Sequence, residues 1–421
     1  MAILSSAALA DTITVVTSFP KELTEAYKKA YEKRHPQDKV EILNKGTSAG
    51  IAYVREQPVG SRAEIFWASA PDAFEVLAGE KLLQKVEVAT RGIPDKIGSY
   101  PINDPEGFYR GQALAGYGLM WNTRYMQANK LPLPKEWADL TKPIYHGHVA
   151  TSSPSRSGTT HLTFETILQG EGWDKGWNQI LQIAGNSAAI TERSFGVPDG
   201  VQNGQFGIGL VIDFFGLAAK NSGFPVEFAY PSVTAIVPAN IALVAGAKNA
   251  EAGKRFVNFT LSEEGQELLL DPKISRLPVL PATYAKAPAG YPNPFSGKIQ
   301  AKVNFDSALS ESRYYVVSSL FDQVITFRLK ELQAASKAIH DADKRLGSRA
   351  GANAQLAEAK KLAWTPPLDA AKAQDKELLA TFKAKKGDDA AVKRKTQVEE
   401  EWSSKARANY VRAAELANAA K

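Results

Sequence analysis

The sequence predicts a doubly wound α/β fold followed by an α-helical extension, and three observations carry that prediction. Strand, polar turn and helix follow one another three times in the N-terminal part of the chain. Later, residues 229–247 form a charge-free run rich in valine and isoleucine and broken by Pro231 and Pro238, the pattern of strands buried on both faces. From Phe305 the composition shifts to alanine, lysine and glutamate, with an apolar stripe at helical spacing from Tyr314 to Ile339 and further helices over 368–386 and 388–420.

The elements read in order. Thr12-Ile13-Thr14-Val15-Val16 is a β-branched strand, and Thr17-Ser18-Phe19-Pro20 is its turn. Residues 21–33 place Leu23, Ala26, Tyr27, Ala30 and Tyr31 on one helical face. Val40-Glu41-Ile42-Leu43 is a second strand, ending at Gly46-Thr47-Ser48-Ala49-Gly50 before another helix. Residues 63–68 are a third, ending at Ser69-Ala70-Pro71-Asp72. A fourth hydroxyl-rich turn, Ser152 to Thr160, follows Gly147-His148-Val149-Ala150.

Composition excludes several functions. The chain has 421 residues, enough for two or three domains, and no cysteine, so thiol catalysis, disulfides and cysteine metal sites are absent. Five histidines leave little for a multi-histidine metal centre. The net charge is +6, of which the part from Asp306 onward contributes 21 Lys+Arg against 16 Asp+Glu. Those lysines alternate with acids, as on a solvated helix face. No basic stripe with interleaved aromatics points to nucleic acid. Ala8-Leu9-Ala10 has the small-x-small form of a signal-peptidase site, so residues 1–10 read as the end of a secretion signal and the protein as periplasmic.

The recurring turns suggest the chemistry. In an open parallel sheet, turns after the strands meet at the carboxyl edge, where helix N-termini present N–H groups and partial positive charge. Hydroxyls there add donors, so the pattern favours a cleft that holds an anion without transforming it. One such turn need be nothing but an N-cap. Four at equivalent positions point to a shared site.

Further motifs carry a resemblance. These are Tyr117-Gly118-Leu119-Met120-Trp121-Asn122-Thr123, Pro134-Lys135-Glu136-Trp137, His146-Gly147-His148-Val149, Ser157-Gly158-Thr159, Asn203-Gly204-Gln205-Phe206-Gly207-Ile208-Gly209-Leu210 and Phe256-Val257-Asn258-Phe259. In that order they resemble family 1 extracellular solute-binding proteins of bacterial ABC importers, in the branch of ferric-ion, sugar-phosphate and phosphoglycerate binders. The resemblance implies a two-lobed periplasmic-binding-protein fold: lobe 1 over residues 11–118 with a return at 238–304, and lobe 2 over 119–237. Residues 305–421 are the helical extension, expected to pack in cis across lobe 1. It implies hinge closure on a solute, delivery to an inner-membrane ABC permease, and a monomer with no cofactor and no catalysis.

Carried over residue by residue, Ser18, Thr47, Ser48, Ser69, Ser155, Ser157 and Thr159 are the anion-binding candidates, and Asp213 is the acceptor for ligand hydroxyls or an amine. Iron-binding relatives place adjacent tyrosines where this chain reads Asp213-Phe214-Phe215, and a phenyl ring offers no oxygen to ferric ion. A small phosphorylated organic anion is therefore the expected solute. The alternatives are a ferric-ion carrier and a secreted phosphate-ester hydrolase. The hydrolase lacks a Gly-x-Ser-x-Gly elbow. Arg156 is either a counter-charge or solvated. Trp67, Tyr117, Trp121 and Tyr230 either wall the cleft or fill the core. His146, His148 and His161 are expected in hydrogen-bonded structural roles.

Overall fold

The structure, a computed structural model, describes residues 11–384 and 387–421. The expected signal remnant at residues 1–10 lies outside them. The chain forms two compact units. The first joins the described residues up to Ala115 with Ile236–Ile299, and the second joins Gly116–Ala235 with Gln300–Lys421.

The strands that frame the site are β1 (Asp11–Thr17), β2 (Asp38–Asn44), β3 (Ile65–Ala68), β4 (Tyr109–Asn122), β5 (Val149–Ser152), β6 (Ser187–Thr191), β7 (Ile208–Ile212) and β8 (Ile236–Val244). The helices used below are α1 (Lys21–Arg34), α2 (Thr47–Glu56), α3 (Pro71–Gly79), α4 (Gly158–Glu171), α5 (Trp173–Gly185), α6 (Asp213–Asn221), α7 (Ser307–Val324), α8 (Leu329–Leu346), α9 (Ala354–Trp364) and α10 (Asp389–Ala419).

In the first unit β1 pairs in parallel with β2, from Asp11 opposite Asp38 to Thr17 opposite Asn44, and with β3 from Val15 opposite Ile65. β8 adds antiparallel to β3, with Ile241 opposite Trp67. Helix α2 lies close on this sheet because Gly50 has no side chain. A Cβ there would meet the Phe66 ring at 3.1 Å and Val16 at 3.3 Å. Tyr27 and Phe19 both pack edge-on against the buried Trp67, with ring centroids at 5.1 and 5.2 Å. Such aromatic contacts add to what burial of the rings already supplies.

In the second unit β7 is antiparallel to β4, with Ile208 opposite Trp121, and parallel to β5, with Ile208 opposite Val149. β5 is parallel to β6. Met120, Ala150, Val197, Val201, Phe206 and Val211 belong to the core of this unit.

The extension also belongs to the second unit, which corrects the expectation that it crosses lobe 1. It docks through specific polar contacts as well as an apolar stripe. Arg313 of α7 donates from Nε and Nη2 to both carboxylate oxygens of Glu165 on α4, each at 2.8 Å, and both side chains are nearly inaccessible. Trp173 Nε1 donates to the Leu368 carbonyl at 2.9 Å, and Gln333 Nε2 donates to the Ser187 carbonyl at 2.6 Å. Asn186 Nδ2 donates to the carbonyls of Leu140 and Lys142 at 2.9 and 3.1 Å, which fixes its amide so that Oδ1 faces His340 Nε2 at 2.8 Å.

Two helix boundaries differ from the sequence reading. The stripe from Tyr314 to Ile339 reads as one helix, but the chain leaves α7 at Ile325 (φ −119°, ψ −65°) and restarts at Leu329. Val324 and Ile325 are both fully buried there, and the Val324 carbonyl accepts the Tyr410 hydroxyl at 2.8 Å. Tertiary packing thus takes a carbonyl that periodicity would assign to the helix. Residues 368–386 also read as helical, yet among the described residues of that stretch the α-helix spans Lys376–Phe382, capped by Asp375. Its end is fixed by Phe382, which stacks on Trp402 at 5.3 Å and 11°.

The Arg313–Glu165 pair makes the extension part of the second unit's core. Arg313→Ala strands a buried carboxylate and is expected to lower the unfolding free energy of that unit by about 3–5 kcal/mol. Paired replacement with Glu165→Gln and Arg313→Met is expected to cost less. Urea denaturation followed by tryptophan fluorescence checks this, and a single-variant loss below about 1 kcal/mol contradicts it.

Candidate functional site

The carboxyl ends of β2, β1 and β3 lie side by side, because all three strands run in parallel. The residues just past those ends are Ser18 after β1, Thr47 and Ser48 after β2, and Ser69 after β3. Topology therefore brings all four first-unit candidates to one sheet edge. None of the helices that follow, α1, α2 and α3, has a side-chain cap: their N-cap residues are Pro20, Gly46 and Ala70. Ser18, Thr47, Ser48 and Ser69 are therefore not the N-cap residues of these three helices. Thr47 and Ser69 are buried, and Ser18 and Ser48 are half-buried.

Arg276 reaches the same edge. Its guanidinium is 1% exposed, lies 3.9 Å from the Phe19 ring centroid, and has Nη1 at 3.4 Å from Ser69 Oγ. Gln266 holds the segment that carries it. This fully buried amide accepts the N–H groups of Val279 and Leu280 at 2.9 and 3.3 Å and donates to the carbonyls of Gln112 and Thr260 at 2.8 and 3.0 Å. Behind Phe19, the Tyr27 hydroxyl is pushed well above its usual range by burial, while the Gln112 hydrogen bond and the Arg276 charge pull the other way. It remains a neutral phenol.

In the second unit the parallel strands β7, β5 and β6 present Asp213, the 153–159 loop and residues 192–195 at their carboxyl ends. Ser157 caps α4 by accepting the Thr160 N–H at 3.3 Å. A capping serine still has its own proton to donate. Ser153 Oγ and Ser155 Oγ are 2.8 Å apart, and Thr159 lies in the first turn of α4. Asp213 is completely buried and accepts from Gly116 N, Phe214 N and the Tyr230 hydroxyl, each at 2.8 Å. Half-buried Tyr230 is the accessible side of that cluster.

Arg193 follows β6 at the same edge, its guanidinium 5.0 Å from the Phe195 ring, with burial drawing its pKa down. Neither Arg193 nor Arg276 emerges from the sequence reading. Arg193 follows a strand as the candidate serines do and so satisfies the same positional rule. Arg276 sits in an irregular segment after Ser275, which has φ +47°, and no periodicity marks it. Arg156, by contrast, is exposed and pairs with Glu192 at 3.0 Å. Trp67, Tyr117 and Trp121 are core residues. The histidines take structural bonds: His148 Nδ1 lies 2.8 Å from the Tyr125 hydroxyl, and His161 Nε2 lies 3.3 Å from Ser310 Oγ.

Hydroxyls and guanidinium groups thus lie at the carboxyl edges of both α/β units. A family profile described as bacterial extracellular solute-binding protein matches residues 62–297, and the chain belongs to that family. The matched span contains Ser69, Ser155, Ser157, Thr159 and Asp213 and ends before the extension begins. The chain is 34% identical over 270 residues to the phosphoglycerate transport regulatory protein PgtC of Salmonella typhimurium, a match that spans 64% of this chain and 65% of that protein's length. Among solved structures it is similar to the periplasmic binding protein AfuA of Actinobacillus pleuropneumoniae, solved with fructose-6-phosphate, with TM-score 0.67 and 18% identity. That match covers 75% of this chain and 99% of AfuA. Iron-bound HitA of Pseudomonas aeruginosa gives TM-score 0.60 at 18% identity, covering 73% and 98%. These likenesses establish the fold, shared by proteins with different cargo.

Gln266 makes the placement of Arg276 testable. Gln266→Ala leaves two N–H groups and two carbonyls of the core without that partner, and is expected to cost at least about 2 kcal/mol of first-unit stability. Denaturant titration checks it. A loss near zero would mean that the 275–280 segment is held by other contacts.

Proposed function

We propose that this protein is the periplasmic solute-binding component of an ABC importer. It captures a small, phosphorylated organic anion by hinge closure and hands it to a membrane permease. The observation that carries this reading is the gathering of Ser18, Thr47, Ser48 and Ser69 past three adjacent parallel strands, beside helices whose N-cap residues are Pro20, Gly46 and Ala70. Hydroxyl donors and helix N-termini both favour an anion, and bonds to a charged acceptor are stronger than neutral ones. In the second unit Ser155, Ser157 and Thr159 offer further hydroxyls, and Arg276 and Arg193 add positive charge to their own units' edges. Asp213 accepts the Tyr230 hydroxyl, and the Tyr230 oxygen can in turn accept from a ligand hydroxyl or amine. The family match and the transport and binding proteins it resembles support capture without chemistry.

The 34% identity to a phosphoglycerate transport regulatory protein supports a phosphate-bearing carboxylate as the first solute to test. That relative's name also supports a second reading of the output, in which a regulatory partner senses the loaded form. Ferric ion is disfavoured by Phe214 and Phe215, whose rings pack on each other at 4.4 Å in place of oxygen ligands.

Thermal unfolding with 3-phosphoglycerate, inorganic phosphate, citrate, ferric citrate, a neutral sugar and a polyamine tests the proposal. A ligand at a hundredfold over its Kd stabilises by about 2.7 kcal/mol, so 3-phosphoglycerate is expected to raise the melting temperature and the neutral sugar to leave it unchanged. Stabilisation by the sugar or polyamine alone, or a visible phenolate–iron band on ferric addition, overturns it.

A further inference from the structure

The extension does more than fill out the second unit: one of its carboxylates enters the loop that carries Ser155. Asp322 of α7 accepts the Ser153 hydroxyl at 2.7 Å and the Thr326 hydroxyl at 2.7 Å, both on Oδ1. Ser153 is buried, and its Oγ also accepts the backbone N–H of Ser155 at 3.3 Å and lies 2.8 Å from Ser155 Oγ. A carboxylate has no proton to give, and a serine hydroxyl has only one. Ser153 must therefore spend its proton on Asp322. The bond between the two serines then has one polarity, with Ser155 donating and Ser153 accepting.

From this relay we infer that Asp322, outside the span matched by the family, is a positioning residue that makes Ser155 a hydrogen-bond acceptor toward the solute. Ser155 is half-buried at the carboxyl edge, and its proton points inward. With that proton spent, its oxygen can only accept from whatever the loop binds. A phosphate oxygen gains nothing from such a group, whereas a ligand hydroxyl or ammonium does. Ser157 and Thr159 stay in the donor set, so the loop distinguishes the anionic end of a solute from a hydroxyl beside it. This inference rests on the anion-capture reading above and revises the role of Ser155 within it: Ser155 reads the part of the solute that is not anionic.

The test uses the full chain and four variants: Asp322→Ala and Ser153→Ala, which break the relay, Asp322→Asn, whose amide oxygen can still accept both hydroxyls, and Ser155→Ala. Calorimetry measures Kd for 3-phosphoglycerate and for 3-phosphopropionate, its counterpart without the 2-hydroxyl. Amide hydrogen exchange follows residues 153–160 without any ligand. In the wild type the hydroxylated probe is expected to bind about tenfold more tightly, the worth of one hydrogen bond. In Asp322→Ala, Ser153→Ala and Ser155→Ala that preference should fall to about twofold or less. Exchange at Ser155 and Arg156 should rise in the first two, and Asp322→Asn should restore both readouts.

Unchanged exchange in both Asp322→Ala and Ser153→Ala overturns the relay. Faster exchange with the probe preference intact overturns the role in selection. A wild-type chain that binds neither probe rejects these solutes and the selection role for them, while the exchange arm still decides the relay. Should Asp322→Ala fail to fold, Ser153→Ala supplies both readouts.

Discussion

Parallel pairing is the constraint on which the candidate site depends. Because β1 runs parallel to both β2 and β3, each chain segment leaves the sheet at the same edge and returns through a helix. Every turn after a strand then opens on a common surface, whatever its distance along the sequence. The same holds for β5, β6 and β7 in the second unit. Antiparallel pairing of any one of these strands would send its turn to the opposite edge and its hydroxyl away from the others.

What the edges present differs between the units. In the first, hydroxyls stand beside helices whose N-caps are proline, glycine and alanine, and a nearly inaccessible guanidinium lies against Phe19. Burial strengthens the field of such a charge, because little water screens it. In the second, the hydroxyls are already organised: Ser157 caps α4, and Ser153 links Ser155 to Asp322. One edge supplies donors and charge. The other adds a relay with a defined proton direction, supported from the C-terminal extension.

Much of this was legible in the sequence, for physical reasons. Period-two strands, period-3.6 helices and the hydroxyl turns between them are local patterns, and the parallel order follows from strand–helix alternation. The features that escaped are products of tertiary contact. Residues 314–339 keep a helical period across a real break, because Tyr410 claims the Val324 carbonyl from far along the chain. The docking face of the extension is set by Arg313 finding Glu165, a pairing no local window contains. Arg276 is delivered by the amide of Gln266 through an irregular segment. Asp322 reads in sequence as one more acid on a helix, and its link to Ser153 crosses 169 positions.

The central claim is that the solute binds at the turns after the parallel strands of each unit. Backbone amide chemical shifts during titration with 3-phosphoglycerate test it most directly. The account predicts saturable shifts concentrated at Ser18, Thr47, Ser48, Ser69, Ser155, Ser157 and Thr159, with the remaining strand and helix surfaces nearly silent. Saturable binding whose shifts cluster elsewhere, with those seven amides unmoved, would contradict it.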